Sequence, residues 1–104
     1  MKKAYQPENT PLKQAIAILE ASGWLVLRQK QIPVKGRKFT GKRGVPDILA
    51  VRQGVCIGVE VKTETGKLSD DQIAFRAEWE GQKMLYIEYR KPLDLVHPVV
   101  GGLR

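Results

Sequence analysis

Cysteine and histidine are nearly absent from this sequence: Cys56 and His97 stand alone among 104 residues. A lone cysteine excludes an internal disulfide and any zinc site built from several thiolates, and a lone histidine excludes a histidine cluster. No apolar run approaches the roughly 20 residues that a membrane-spanning helix needs. Met1-Lys2-Lys3 leads into polar residues, not into the apolar core of a secretion signal. Acidic residues are also few. Eleven Asp and Glu face 18 Lys and Arg, which gives a net charge of +7 and favours a polyanionic partner, nucleic acid or an acidic membrane. With 42% hydrophobic and 28% charged residues the chain can bury a core. The expectation is one basic domain over 1–104 (core about 8–90, tail 91–104) in a reducing, cytoplasmic compartment.

Thr10-Pro11 reads as a helix start, with Thr10 as cap and Pro11 at the first helical position. Leu12, Ala15, Ile16, Ile18 and Leu19 place one apolar face on a helix over 11–22, and Gly23 stops it. A strand begins at Trp24 and ends near Pro33. Residues 34–45 hold three glycines and five basic residues around Phe39 and follow neither helical nor strand periodicity, so they read as a loop. Asp47–Val51 and Val55–Lys62 are strands joined by a Gln53-Gly54 turn. Ser69 caps a second helix, with Asp70 and Asp71 in its first turn and Gln72 at capping-box spacing. That helix runs to about Glu80 and is expected to bury Ile73, Ala74, Phe75 and Ala77. Lys83–Tyr89 is a further strand. The order α-β-β-β-α-β implies an α/β fold, a mixed sheet flanked by helices.

The chemistry concentrates between Pro46 and Lys62. Counting outward from a two-residue Gln53-Gly54 turn, Arg52 faces Val55, and the same count sets Asp47 opposite Glu60. The two carboxylates become a cross-strand pair on one face, and Lys62, two residues beyond Glu60, leaves that face too. The neighbouring residues are apolar on both faces, as in a covered central strand pair. Adjacent carboxylates in such a place repel one another and lose solvation, and a divalent cation between them relieves both penalties. Oxygen ligands suit Mg²⁺ or Mn²⁺, with the Val61 carbonyl between Glu60 and Lys62 as a further donor. A cation on two carboxylates, beside a lysine and within a basic surface, fits phosphodiester hydrolysis. Arg37, Lys38, Lys42 and Arg43, just before Pro46, are candidates for contact with DNA phosphates and imply no base readout.

Pro46-Asp47, twelve intervening residues and Glu60-Val61-Lys62 resemble the PD-(D/E)XK nuclease signature. The wider string Gly44-Val45-Pro46-Asp47-Ile48-Leu49, Gly58-Val59-Glu60-Val61-Lys62, Gly66-Lys67-Leu68-Ser69 and Gln72 is similar to the VRR-Nuc branch of that superfamily. The helix ending in Leu19-Glu20-Ala21-Ser22-Gly23-Trp24 adds to the likeness. The resemblance implies a restriction-endonuclease-like αβ core and metal-dependent DNA cleavage. Asp47 and Glu60 would be metal ligands, Lys62 would position water and Gln72 would reach the site from the second helix. It also implies an acid in the first helix, for which Glu8 and Glu20 are the candidates. Small stand-alone members resemble phage proteins that dimerise and cut four-way (Holliday) junctions, which implies a homodimer acting in a bacterial or phage-infected host cell.

Blander readings accompany these. Asp47 after Pro46 can be a strand-start residue, Gln72 has a full account as the capping partner of Ser69, and the basic loop can be solvated. Trp24, Trp79 and Tyr86 read as core, Cys56 as buried and inert, and His97 carries no assignment. The alternative function is a non-catalytic, basic nucleic-acid-binding domain on the same fold, and a second alternative is a subunit-interaction module that meets an acidic protein.

Overall fold

The computed structural model describes residues 10–29 and 42–101. Glu8, Arg37, Lys38 and the end expected for the first strand near Pro33 lie outside these described residues. Helix α1 (Pro11–Ala21) begins as its sequence dictates: Thr10 is extended, its side chain accepts from the Lys13 N–H, and Pro11 opens the first turn. Gly23, at φ +90°, turns the chain into strand β1 (Leu25–Arg28). Strands β2 (Ile48–Arg52) and β3 (Val55–Val61) form the hairpin. Gln53 and Gly54 both have positive φ, 49° and 83°, the geometry of a tight turn whose twist matches the strands. Helix α2 (Asp70–Gly81) leads to β4 (Leu85–Tyr89), followed by a 3₁₀ turn (Pro92–Leu95) and the short helix α3 (Pro98–Gly101).

The four strands lie in the order β1-β2-β3-β4, with β1/β2 and β2/β3 antiparallel and β3/β4 parallel across the α2 crossover. The mixed sheet flanked by helices is the expected α/β, restriction-endonuclease-like architecture. Register in the hairpin follows the count from the turn, with Arg52 opposite Val55 and Ile48 opposite Val59. One face of the sheet (Ile48, Ala50, Ile57, Val59, Ile87 and Tyr89) joins Ala15 and Leu19 of α1 with Leu95 and Val100 in the buried core.

The opposite face lies under α2, and here the expectation from sequence needs correction. Ile73 is 53% exposed, Ala74 and Ala77 are also exposed, and Phe75 is only half-buried. The residues that face the sheet or its edge are Gln72, Phe75, Arg76 and Trp79, at helical spacing. Gln72 reaches Glu60, Arg76 reaches Glu88, and Trp79 donates to the Leu85 carbonyl while stacking on Phe75. The inward stripe is half polar, so a search for apolar periodicity picks the wrong face.

At the turn end of the sheet Arg52 gathers the remaining elements. Its guanidinium donates to the Ser22 carbonyl (2.6 Å) and the Val99 carbonyl (2.8 Å) and lies 4.5 Å over the Trp24 ring. Trp24 donates to the Val100 carbonyl. His97 accepts the Val99 N–H at the start of α3, a local role that its sequence context gave no reason to assign.

Candidate active site

At the other end of the sheet β2 begins and β3 and β4 finish. Asp47 sits just before β2, Glu60 and Lys62 at the end of β3, and Gln72 in the first turn of α2. The structure brings all four together. The Asp47 N–H donates to Glu60 Oε1 (3.2 Å), and the Val61 N–H donates to Asp47 Oδ2 (2.9 Å). These reciprocal bonds finish the β2–β3 pairing with side chains where the backbone ladder stops. The Lys62 N–H goes to Tyr89 of β4, so Val61, the residue before it, directs its N–H and carbonyl toward the β2 side, where Asp47 lies. Two carboxylates and one carbonyl therefore share an edge.

Glu60 is 3% exposed, the one buried charged residue among those described. Its Oε2 accepts from Gln72 Nε2 at 2.7 Å and lies 3.6 Å from Lys62 Nζ. Burial first, then the charge of Asp47, push its carboxyl up to about 7, against the opposing pull of Lys62 and the Asp47 N–H. One half-buried lysine does not balance two carboxylates, and such a site accepts additional positive charge. The all-oxygen donor set of Asp47, Glu60 and the Val61 carbonyl fits a hard divalent cation. Among the described residues no group of three or more His, Cys, Asp or Glu side chains forms a ligand cluster.

Gln72 completes the capping box and also reaches Glu60. Its Oε1 accepts the Ser69 N–H (2.8 Å) while the Ser69 hydroxyl accepts the Gln72 N–H (3.2 Å), a complete capping box. The same amide turns its NH₂ toward Glu60, so the start of α2 and the carboxylate are joined through one side chain. Gly44 makes this approach possible: a Cβ there would lie 2.1 Å from the Asp71 carbonyl oxygen, and its φ of +80° suits glycine.

Glu20 is exposed near the end of α1, beside Ser22, whose carbonyl takes Arg52 at the far end of the sheet, so it does not reach the site. Lys42 and Arg43 flank α2, paired with Glu78 (2.8 Å) and Asp71 (3.9 Å); all four side chains are more than half exposed. Sequence reasoning missed Glu88, Arg76 and Arg90. Parallel register sets Glu88 beside Glu60, in one row with Asp47. Glu88 binds Arg76 (2.6 Å) and Arg90 (2.8 Å), and Arg90 also donates to the Gly66 carbonyl of the loop between Lys62 and α2. A hairpin fixes its own register, but a crossover helix does not, so nothing local in sequence aligned Glu88 with Glu60.

No family model and no curated protein matches the sequence. Among solved structures, one described as a VRR_NUC domain is similar to this chain at 25% identity and a TM-score of 0.58, covering 81% of this chain and 85% of that one. No helix among the described residues is long and apolar enough to cross a membrane. With the motif residues gathered at one end of a mixed sheet and a solved VRR_NUC domain matching most of its length, this chain is similar to a VRR_NUC domain and has a nuclease-type fold.

Proposed function

We propose that this protein is a divalent-cation-dependent DNA endonuclease that hydrolyses phosphodiester bonds in branched DNA, four-way junctions foremost, and acts as a homodimer. The observation that carries the reading is the convergence of Asp47, Lys62 and Gln72 on a buried Glu60 whose surroundings disfavour its charge. Carboxylates held in this way reward a ligand more than they reward folding.

Asp47, Glu60 and the Val61 carbonyl would hold Mg²⁺ or Mn²⁺. When bound, the cation supplies polarisation of a phosphate oxygen and acidifies water next to it. Lys62, half-buried and fixed against Glu60, orients the attacking water and offsets charge that develops on the phosphate. Gln72 holds the Glu60 carboxylate from the helix side, so its orientation is set by the protein. The exposed ion pairs of Lys42 and Arg43 contribute little to stability, which leaves both cations able to exchange their partners for DNA phosphates. Arg37 and Lys38 would extend this contact, and Glu8 remains the acid that the family pattern offers from the N-terminal side. The junction substrate and the second copy rest on the likeness of the motif string to small VRR-Nuc proteins; a four-way junction is resolved by two cuts, which two copies supply.

The test is a panel of labelled linear, flap and four-way DNA incubated with Mg²⁺, Mn²⁺ or EDTA. Cleavage that needs either cation and favours the four-way substrate is expected. Salt-sensitive binding with no nicked product under any condition would replace this reading with a non-catalytic DNA-binding domain. Equal cleavage of all three substrates would retain the nuclease and remove the junction preference.

A further inference from the structure

Tyr86 of β4 is 3% exposed, and its hydroxyl, fully enclosed, has no hydrogen-bond partner among the described residues. Burying a phenol in this state costs free energy that phenylalanine at the same position would not incur. The position of the ring suggests what the hydroxyl serves. In the parallel register Gly58 faces Tyr86 and Glu60 faces Glu88, so the Tyr86 ring lies on the α2 face one step below the row of site carboxylates. Arg76 covers the ring at 5.0 Å and itself binds Glu88. A phenol keeps its proton at neutral pH, so the group is an O–H donor.

Glu60 has room for such a donor. Its Oε1 takes the Asp47 N–H, its Oε2 takes Gln72 and lies 3.6 Å from Lys62, beyond hydrogen-bond length, and a carboxylate offers about four lone-pair sites in all, which leaves one for a cation and one for a further donor. We propose that Tyr86 is a positioning residue of the site: its hydroxyl donates to the Glu60 carboxylate through one enclosed water and fixes the orientation in which Glu60 meets the cation. This inference rests on the reading of Glu60 as a cation ligand. It gives the site a third support for one carboxylate, from β4, in addition to the β2 lead-in and α2. Partners of this kind, which orient a ligand without touching the metal, typically change metal affinity or activity by about 10–100-fold when removed.

Tyr86→Phe keeps the ring beneath Arg76 and removes only the donor. Thermal denaturation of the wild type and of this variant is followed across a Mg²⁺ titration, and kcat and KM are measured on the cleaved substrate. The Mg²⁺ midpoint of Tyr86→Phe is expected to rise about tenfold and kcat to fall with KM little changed. In the Glu60→Gln background the same substitution is expected to leave the residual Mg²⁺ response unchanged. A Tyr86→Phe protein with the wild-type Mg²⁺ midpoint and kcat would overturn the proposal while leaving the nuclease reading intact. A wild type whose stability ignores Mg²⁺ would instead remove the cation reading and this inference with it. If Tyr86→Phe does not fold, 3-fluorotyrosine at position 86 of the wild-type sequence replaces it. Its ¹⁹F resonance is expected to move with the same Mg²⁺ midpoint as the thermal shift, and a resonance indifferent to Mg²⁺ overturns the proposal.

Discussion

Glu60 couples stability to chemistry. Its carboxyl titrates near 7 in the folded protein because burial and Asp47 penalise the charged form, against an ordinary value of 4.5. The folded state therefore binds this proton more tightly than the unfolded chain. Its contribution to folding is complete below about pH 4.5 and is lost as the pH rises through about 7, with a total on the order of 3 kcal/mol. In EDTA the Tm of the wild type is expected to fall between pH 5 and pH 8 more than that of Glu60→Gln, and Mg²⁺ is expected to raise the wild-type Tm more at pH 8 than at pH 5. An equal Mg²⁺ effect at both values would contradict the account. Asp47→Ala or Glu60→Ala is expected to abolish cleavage and leave DNA binding largely intact, as read by gel shift beside the nicking assay. Gln72→Glu divides the two roles of Gln72: it retains an oxygen for the Ser69 N–H but turns an acceptor toward Glu60. Helix content should survive while activity falls at least tenfold, an effect of about 1.4 kcal/mol or more on the transition state.

Among the elements, the hairpin was the most legible in sequence. Gln53-Gly54 permits a two-residue turn, that turn fixes register, and register alone sets Asp47 opposite Glu60. The boundaries of α2 were legible too, because Ser69 and Gln72 write the cap explicitly. Its orientation was not. Gln72 and Arg76 point at carboxylates on the sheet, so polar residues occupy the face that hydrophobic spacing assigns to Ile73, Ala74 and Ala77. Glu88 escaped for a related reason, since the β3–β4 register depends on how the crossover helix sits. The contact between the β2 lead-in and α2 predicts its own sensitive position. Gly44→Ala forces a Cβ onto the Asp71 carbonyl at positive φ and should cost about 2–4 kcal/mol by urea denaturation. A cost below about 0.5 kcal/mol, the range of an ordinary surface change, would show that the two segments are not locked together.

Over the described residues, the two ends of the sheet differ in what they hold: carboxylates at one and Arg52 at the other. The +7 net charge predicts DNA affinity that declines with salt. Removing Arg37 and Lys38 together should weaken binding to all sequences alike and reduce the salt slope by about one for each phosphate no longer neutralised. The turn end carries Arg52, which binds α1, Trp24 and α3 into one body. Arg52→Ala is expected to destabilise by about 2–3 kcal/mol, because two carbonyls lose their donor and a ring face is uncovered, with kcat unchanged well below the Tm. The five residues of β2 separate the Gln53-Gly54 turn from Asp47, six steps or roughly 20 Å at about 3.3 Å per residue. That spacing makes the turn a natural handle: a fluorophore, an affinity tag or a short peptide grafted between Gln53 and Gly54 would report on or immobilise the molecule while leaving the carboxylates at the opposite rim untouched.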